Sequence, residues 1–332
     1  MRKLRLAHLP TPLTHSAALD RLVGTEVWVK RDDMTSGAAA GNKIRKLEYL
    51  LADALERGAT RIITCGAVQS NHARATAISA AELGLRSLLF LRNTESTVPP
   101  PSANLLLDQL VGAEIRLISP ADYRRRGELM AAAAAELATR GDTPYVIPEG
   151  GSNGLGAFGY VAAMAEIEAQ LAAAEGGGPA PYDAVIHACG SGGTAAGVAL
   201  GLARHPVAQR AIAVAVCDDR AYFEQAIGRI VAEAVALDPS LDPSARAVIY
   251  DQWKGPAYGV ASDEQLDFIT EVAAKTGLLF DPVYTGKALF GLSRLEPKPA
   301  RVLFLHTGGL PGLLAENETL ARALERRGLT RA

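Results

Sequence analysis

A regular alternation of short apolar runs with longer helical patterns constrains this chain more than any other feature. Arg61–Cys65, Arg86–Phe90, Glu114–Ile118 and Pro144–Ile147 are strand-like runs bounded by turn residues. Ser70–Leu83, Ser102–Leu110 and Ala121–Arg140 separate them with helical spacing. Short strands joined through helices can pair only by crossing over, which predicts parallel sheets with right-handed connections. The pattern resumes with strand Ala184–Ala188, helix Gly193–Ala203, strand Ala211–Val216 and a later strand Arg301–Leu305. The expected class is α/β, with open twisted parallel sheets carrying helices on both faces.

The length of 332 residues leaves room for about two domains. Apolar residues make up 48% and charged residues 21% of the chain, so wholesale disorder is excluded. A net charge of −2 gives no global electrostatic case for nucleic acid or an anionic membrane. Three cysteines, Cys65, Cys189 and Cys217, are too few and too odd for a disulfide framework and read as small buried thiols. His187 and Cys189 share a strand face but lack a third ligand at metal spacing, so no metal site is expected. Residues 1–13 are basic without the apolar core of a signal peptide. The uncharged stretch Ala184–Ala203 holds His187 and several glycines, which fits strand, loop and helix rather than a membrane span. The reading is a soluble, cytoplasmic chain. Glu149–Gly156 is a glycine-rich turn after a strand, and Gly176–Pro181 reads as a flexible surface connection.

Lysine is scarce: eight lysines stand against 26 arginines, and none lies between Lys46 and Lys254. Lys30 ends an alternating strand, Glu26–Lys30, as a strand-end charge. Lys46 and Lys275 fall on helical patterns where a solvated face accounts for them. Lys43 differs. It follows the small-residue loop Ser36–Gly41 and precedes apolar positions Ile44, Leu47, Leu50, Leu51, Ala54 and Leu55 at helical spacing, with Asn42 as a plausible N-cap. An ammonium ion in a first helical turn opposes the helix dipole, which lowers its pKa and favours the neutral amine needed for a Schiff base. The competing reading is an ordinary surface lysine.

Gly190-Ser-Gly-Gly-Thr194 lies between a strand and a helix, where backbone N–H groups can converge on a phosphate. Two cofactor classes use that device. Gly190-x-Gly192-x-x-Ala195, with Asp218 beyond the next strand, fits a dinucleotide fingerprint. A single phosphate, such as that of pyridoxal 5′-phosphate (PLP), fits equally. No Gly-Lys-Ser/Thr follows, which excludes a P-loop. Gly66–His72 is another strand-to-helix turn. There Ser70 is a natural N-cap, and Asn71 and His72 add donors for an anionic group such as a carboxylate. Asp281–Lys287 and His306–Gly309 place further polar side chains at strand ends or turns, where ligands collect in doubly wound sheets.

These motifs together resemble the fold-type II PLP enzymes, specifically the branch holding D-cysteine desulfhydrase and 1-aminocyclopropane-1-carboxylate (ACC) deaminase. The resemblance runs through Pro10-Thr-Pro12, Lys30-Arg-Asp-Asp33, Gly41-Asn-Lys-Ile-Arg-Lys46, Gln69-Ser-Asn-His72, Gly190–Thr194, Asp281-Pro-Val-Tyr-Thr-Gly-Lys287 and His306-Thr-Gly-Gly309. It implies that Lys43 is the Schiff-base lysine and the base at Cα. Asn71 would approach the cofactor's 3′-oxygen, and Ser70, Asn71 and His72 would bind the substrate carboxylate. Gly190, Ser191, Gly192, Gly193 and Thr194 would bind the phosphate, with Thr285 and Thr307 also against the cofactor. Tyr284 and Tyr258 would lie close to the reacting carbons. The dinucleotide reading then gives way, because it leaves Lys43 and the Ser70–His72 cluster idle.

The resemblance also implies a discontinuous layout, with residues 1–45 and 156–332 in a large domain, 46–155 in a small one, and the active site in the cleft between them. The partners it implies are a small amino-acid substrate and a second copy in a homodimer. ACC deaminases place glutamate at the position of Thr285 and typically leucine at that of Thr307. A threonine hydroxyl cannot serve as counter-ion to a protonated pyridine nitrogen, and opening a cyclopropane leans on that electron sink. Loss of thiolate asks less, since a thiol of pKa about 8.5 leaves readily. The expected activity is therefore α,β-elimination from D-cysteine or a related β-substituted amino acid, with ACC deamination as the alternative.

Overall fold

The computed structural model describes residues 1–95, 97–174 and 181–328. Most of the connection expected at 176–181 lies outside them. Among the described residues ten strands form: β1 Leu13–His15, β2 Glu26–Lys30, β3 Arg61–Ala67, β4 Arg86–Arg92, β5 Glu114–Ile118, β6 Pro144–Val146, β7 Ala184–Cys189, β8 Ala211–Ala215, β9 Ala247–Tyr250 and β10 Arg301–Leu305. They build a six-stranded sheet in the order β1-β2-β10-β7-β8-β9 and a four-stranded sheet in the order β5-β4-β3-β6. Every pairing is parallel except β1 with β2. That exception has a simple cause. Only the seven-residue helix Ala17–Val23 and its flanks connect the two strands, which is too short for a parallel crossover.

The central strands show why the apolar runs are nearly continuous, His187 being the one polar side chain within β7. Along β7 and β10, Val185, Cys189, Leu303 and Leu305 enter one buried cluster, while Ala184, Ile186, Val302 and Phe304 enter another on the opposite face. A strand covered on both sides needs apolar residues at every position. The smaller sheet repeats this, with Leu88 and Phe90 of β4 on one face and Leu89 and Leu91 on the other.

Two long helices join the sheets. Asn42–Glu56 leads into the second and Gly154–Ala172 leads out of it. Positions 45/46 and 155/156 thus fall inside helices rather than in linkers. The two helices touch closely: a Cβ on Gly159 would stand 2.5 Å from the carbonyl oxygen of Arg45. Only glycine allows that approach. The expected helix over Ala121–Arg140 is two, Pro120–Tyr123 and Arg126–Thr139.

A buried ion-pair network locks the same junction. Arg45 binds Asp32 through Nε and Nη2 at 2.8 and 2.7 Å and Glu166 through Nη1 and Nη2 at 2.9 and 3.0 Å. Lys30 reaches Glu166 at 2.5 Å and the carbonyl of Thr11 at 2.8 Å. Lys30 is therefore a fully buried partner in a network and not a strand-end surface charge.

Candidate active site

The carboxyl ends of β3, β7 and β10 and the start of the helix Asn42–Glu56 face one cleft of about 730 Å³, part of it open to solvent. Lys43, Ser70, Asn71, His72, Gly190, Ser191, Gly192, Thr194, Tyr258, Tyr284 and Thr307 all line it. Gly193 and Thr285 do not appear on its wall.

Lys43 is the second residue of its helix. Gly41, with φ of +123°, is the N-cap in place of the expected Asn42. Asn42 instead donates from Nδ2 to Thr194 Oγ1 at 3.0 Å, tying the lysine helix to the glycine loop. Burial pushes the Lys43 amine down to about 8, while Glu149 and Cys189 partly oppose the shift. Desolvation, more than the helix dipole, thus brings the neutral amine within reach near neutral pH.

The glycine loop precedes the helix Gly193–Arg204, with Gly192 in the left-handed region at φ of +86°. The first-turn N–H groups of this twelve-residue helix point toward the loop with no helical acceptor. Lys46, expected on a solvated face, lies behind it. It is 1% exposed and donates to the Gly150 carbonyl at 3.2 Å. A Cβ on Gly193 would stand 2.7 Å from its Nζ. Burial and the charge of Lys43 push the Lys46 amine well below its ordinary pKa. The spacing Lys43–Lys46 already carried the signal, since residues three apart share a helix face.

Ser70 caps the helix Asn71–Glu82 and accepts the Ala73 amide at 3.2 Å, which leaves its own hydroxyl proton to donate. His72 is arranged otherwise. Thr64 Oγ1 donates to the Ile147 carbonyl and therefore accepts from His72 Nε2 at 2.8 Å. Burial and the nearby Lys43 and Lys46 keep the ring neutral. Its one donor is spent, so the imidazole offers only an acceptor, and a carboxylate here would meet first-turn amides instead. Thr285 is also committed: its hydroxyl donates to Asp281 Oδ1 at 2.6 Å and accepts the Asp281 amide at 3.0 Å. The Thr307 carbonyl accepts the Asn42 amide at 3.0 Å.

Glu149 lines the cleft without having been singled out in the sequence. It accepts from Tyr123 at 2.6 Å and pairs with Arg126 at 2.8 Å. Opposite, Tyr258 and Tyr284 share a hydroxyl–hydroxyl hydrogen bond of 2.6 Å. Burial pushes Tyr258 up to about 12 and Tyr284 further, so both phenols stay protonated at neutral pH.

A profile of pyridoxal-phosphate-dependent enzymes matches residues 4–308. The chain belongs to that family. This PLP-dependent enzyme is 40% identical over 320 residues to a Thermotoga maritima protein provisionally named an ACC deaminase, covering 96% of this chain and 99% of the other. It is 42% identical to a bifunctional D-cysteine desulfhydrase/ACC deaminase of Arabidopsis thaliana, covering 95% and 80% respectively. The crystal structure of an ACC deaminase homologue superposes with a TM-score of 0.89 at 37% identity, covering 98% of this chain and 97% of that one.

The site fits the family's cofactor on its own geometry. A desolvated amine, a loop of amides at a helix start and a second buried lysine behind that loop suit an aldehyde carrying a phosphate. Among the described residues no cluster of His, Cys, Asp or Glu could hold a metal ion, and no helix is long and apolar enough to cross a membrane.

Proposed function

We propose that this enzyme is a lyase that removes hydrogen sulfide from D-cysteine by α,β-elimination, leaving pyruvate and ammonia. Taking 1–45 with 156–332 as one domain and 46–155 as the other, the cofactor sits between them. Lys43 would carry it, the amides and hydroxyls of Gly190–Thr194 would hold its phosphate, and Lys46 stands behind them as a buried N–H donor. Ser70 and the first-turn amides of Asn71 and His72 bind the substrate carboxylate. PLP supplies an electron sink that acidifies the substrate Cα–H. Lys43, released once the substrate amine has taken its place on the aldehyde carbon, accepts that proton as its neutral amine. The thiolate departs from Cβ and takes a proton from the Tyr258–Tyr284 pair. Water then converts the released enamine to pyruvate and ammonia.

The observation that carries the choice of substrate is the Thr285–Asp281 bond. The hydroxyl at this position donates to Asp281, and the side chain at 285 carries no charge of its own to hold a pyridine nitrogen protonated. A C–S bond to a good leaving group tolerates that; a cyclopropane C–C bond does not. The names of the relatives favour a second reading, ACC deamination to 2-oxobutyrate and ammonia. Steady-state assays on D-cysteine, ACC, L-cysteine, D-serine and L-cysteate separate the two. Pyruvate and sulfide from D-cysteine at the highest kcat/KM support the proposal, and faster 2-oxobutyrate from ACC overturns it. The same reading includes a homodimer, which light scattering tests against the 34.8 kDa chain.

A further inference from the structure

Behind Asn71 lies a buried relay of polar groups with no slack in its donor and acceptor roles. Asn104, fully buried at the start of the helix Ala103–Leu110, makes four hydrogen bonds. Its Oδ1 accepts from Arg74 Nε at 2.7 Å. Its Nδ2 donates to the Gln69 carbonyl at 3.0 Å and to Asn71 Oδ1 at 3.1 Å, and its backbone amide donates to Gln69 Oε1 at 2.9 Å. Arg74 can only donate and the Gln69 carbonyl can only accept, so the Asn104 amide is pinned at both ends. The Asn71 atom facing it must then be the oxygen. Arg74 is held in turn by the carbonyls of Ala38 and Ala40, in the loop that leads to Lys43.

A second observation marks the same place. Ala103, next to Asn104, has φ of +45°, the one described non-glycine residue in the left-handed region. Such a backbone persists only where surrounding contacts over-determine it, and these positions gather at functional sites.

We propose that Asn104 is a positioning residue: it turns the Asn71 amide so that Nδ2, which has no protein partner among the described residues, is the donor offered to the cofactor's 3′-oxygen. The inference rests on the reading above that Asn71 faces that oxygen. Replacing Asn104 by aspartate keeps the shape and the bond to Arg74 but presents an acceptor to Asn71, which must then flip and aim its own oxygen outward.

The test loads wild type, N71A, N104D and N104A with PLP and follows the bound cofactor's absorbance against pH, with the PLP dissociation constant and thermal unfolding measured alongside. A lost donor leaves more charge on the 3′-oxygen, so the bound cofactor holds its proton more tightly. The midpoint should rise by about one pH unit in N71A and in N104D, by less in N104A, and PLP affinity should fall several-fold. A merely structural Asn104 would lower the unfolding temperature and leave the midpoint in place. A shift in N71A with none in N104D overturns the relay alone; no shift in N71A overturns the placement of Asn71 and the relay with it. Should N104D fail to fold, N104A decides by the same midpoint.

Discussion

The phenolic oxygens of Tyr258 and Tyr284 stand 2.6 Å apart, with the rings edge to face at 6.1 Å. One hydroxyl donates to the other, which leaves a single proton free to face the cleft. Arg92 lies over the Tyr258 ring at 5.1 Å. If the pair delivers a proton to the leaving thiolate, Y258F and Y284F should each lower kcat for D-cysteine by roughly 10²-fold. The double variant should be little worse than the worse single one, because one relay is broken in every case. Rate losses that multiply would show two independent roles.

For Lys43 the expected outcome is sharper. Borohydride reduction of the holoenzyme, followed by digestion, should leave a pyridoxyl group on the peptide containing residue 43. K43A should lose both the label and at least ~10³-fold in activity. A label on Lys46, three residues on and also desolvated, would reassign the site.

The Arg45 network should set acid stability. Burial pushes the Glu166 carboxyl up, but its bonds to Arg45 and Lys30 outweigh that and hold it down to about 2. A depressed carboxylate contributes stability above its ordinary pKa and loses it as pH falls. Wild type should therefore lose about 2–3 kcal/mol between pH 4.5 and 2. E166Q should be less stable at pH 7 and show a flatter acid limb in denaturant titrations. R45L, which strands Asp32 and Glu166, should cost about 3–5 kcal/mol at neutral pH.

Asp108 predicts the opposite slope. Burial pushes its carboxyl up to about 8, against the attraction of Arg74. Neither oxygen has a hydrogen-bond partner among the described residues. The folded state then binds a proton that the unfolded chain has released, so stability falls as pH rises from about 4 to 8. The slope should approach ~1.4 kcal/mol per pH unit at most. D108N should remove that dependence, as urea midpoints measured at pH 5 and pH 8.5 would show.

Much of this architecture was readable from the order of residues. Unbroken apolar runs such as Ala211–Val216 demand a strand covered on both faces, and helices between such runs demand parallel crossovers. Ser70 declared itself a cap, and Lys43 stood out because the chain is poor in lysine and a first turn repels ammonium. Those are local signals, carried by neighbours in sequence.

What local signals could not carry is the partner that arrives from far away. Lys30 reads as a strand-end charge and Lys46 as a solvated one until Glu166 and Gly150 are brought against them, and His72 reads as an available donor until Thr64 accepts its N–H. Asn104 had no signature at all. A strand or helix is dictated by periodicity along the chain, but the hydrogen-bonding role of a buried polar group is decided by whichever fixed donor or acceptor the fold sets beside it.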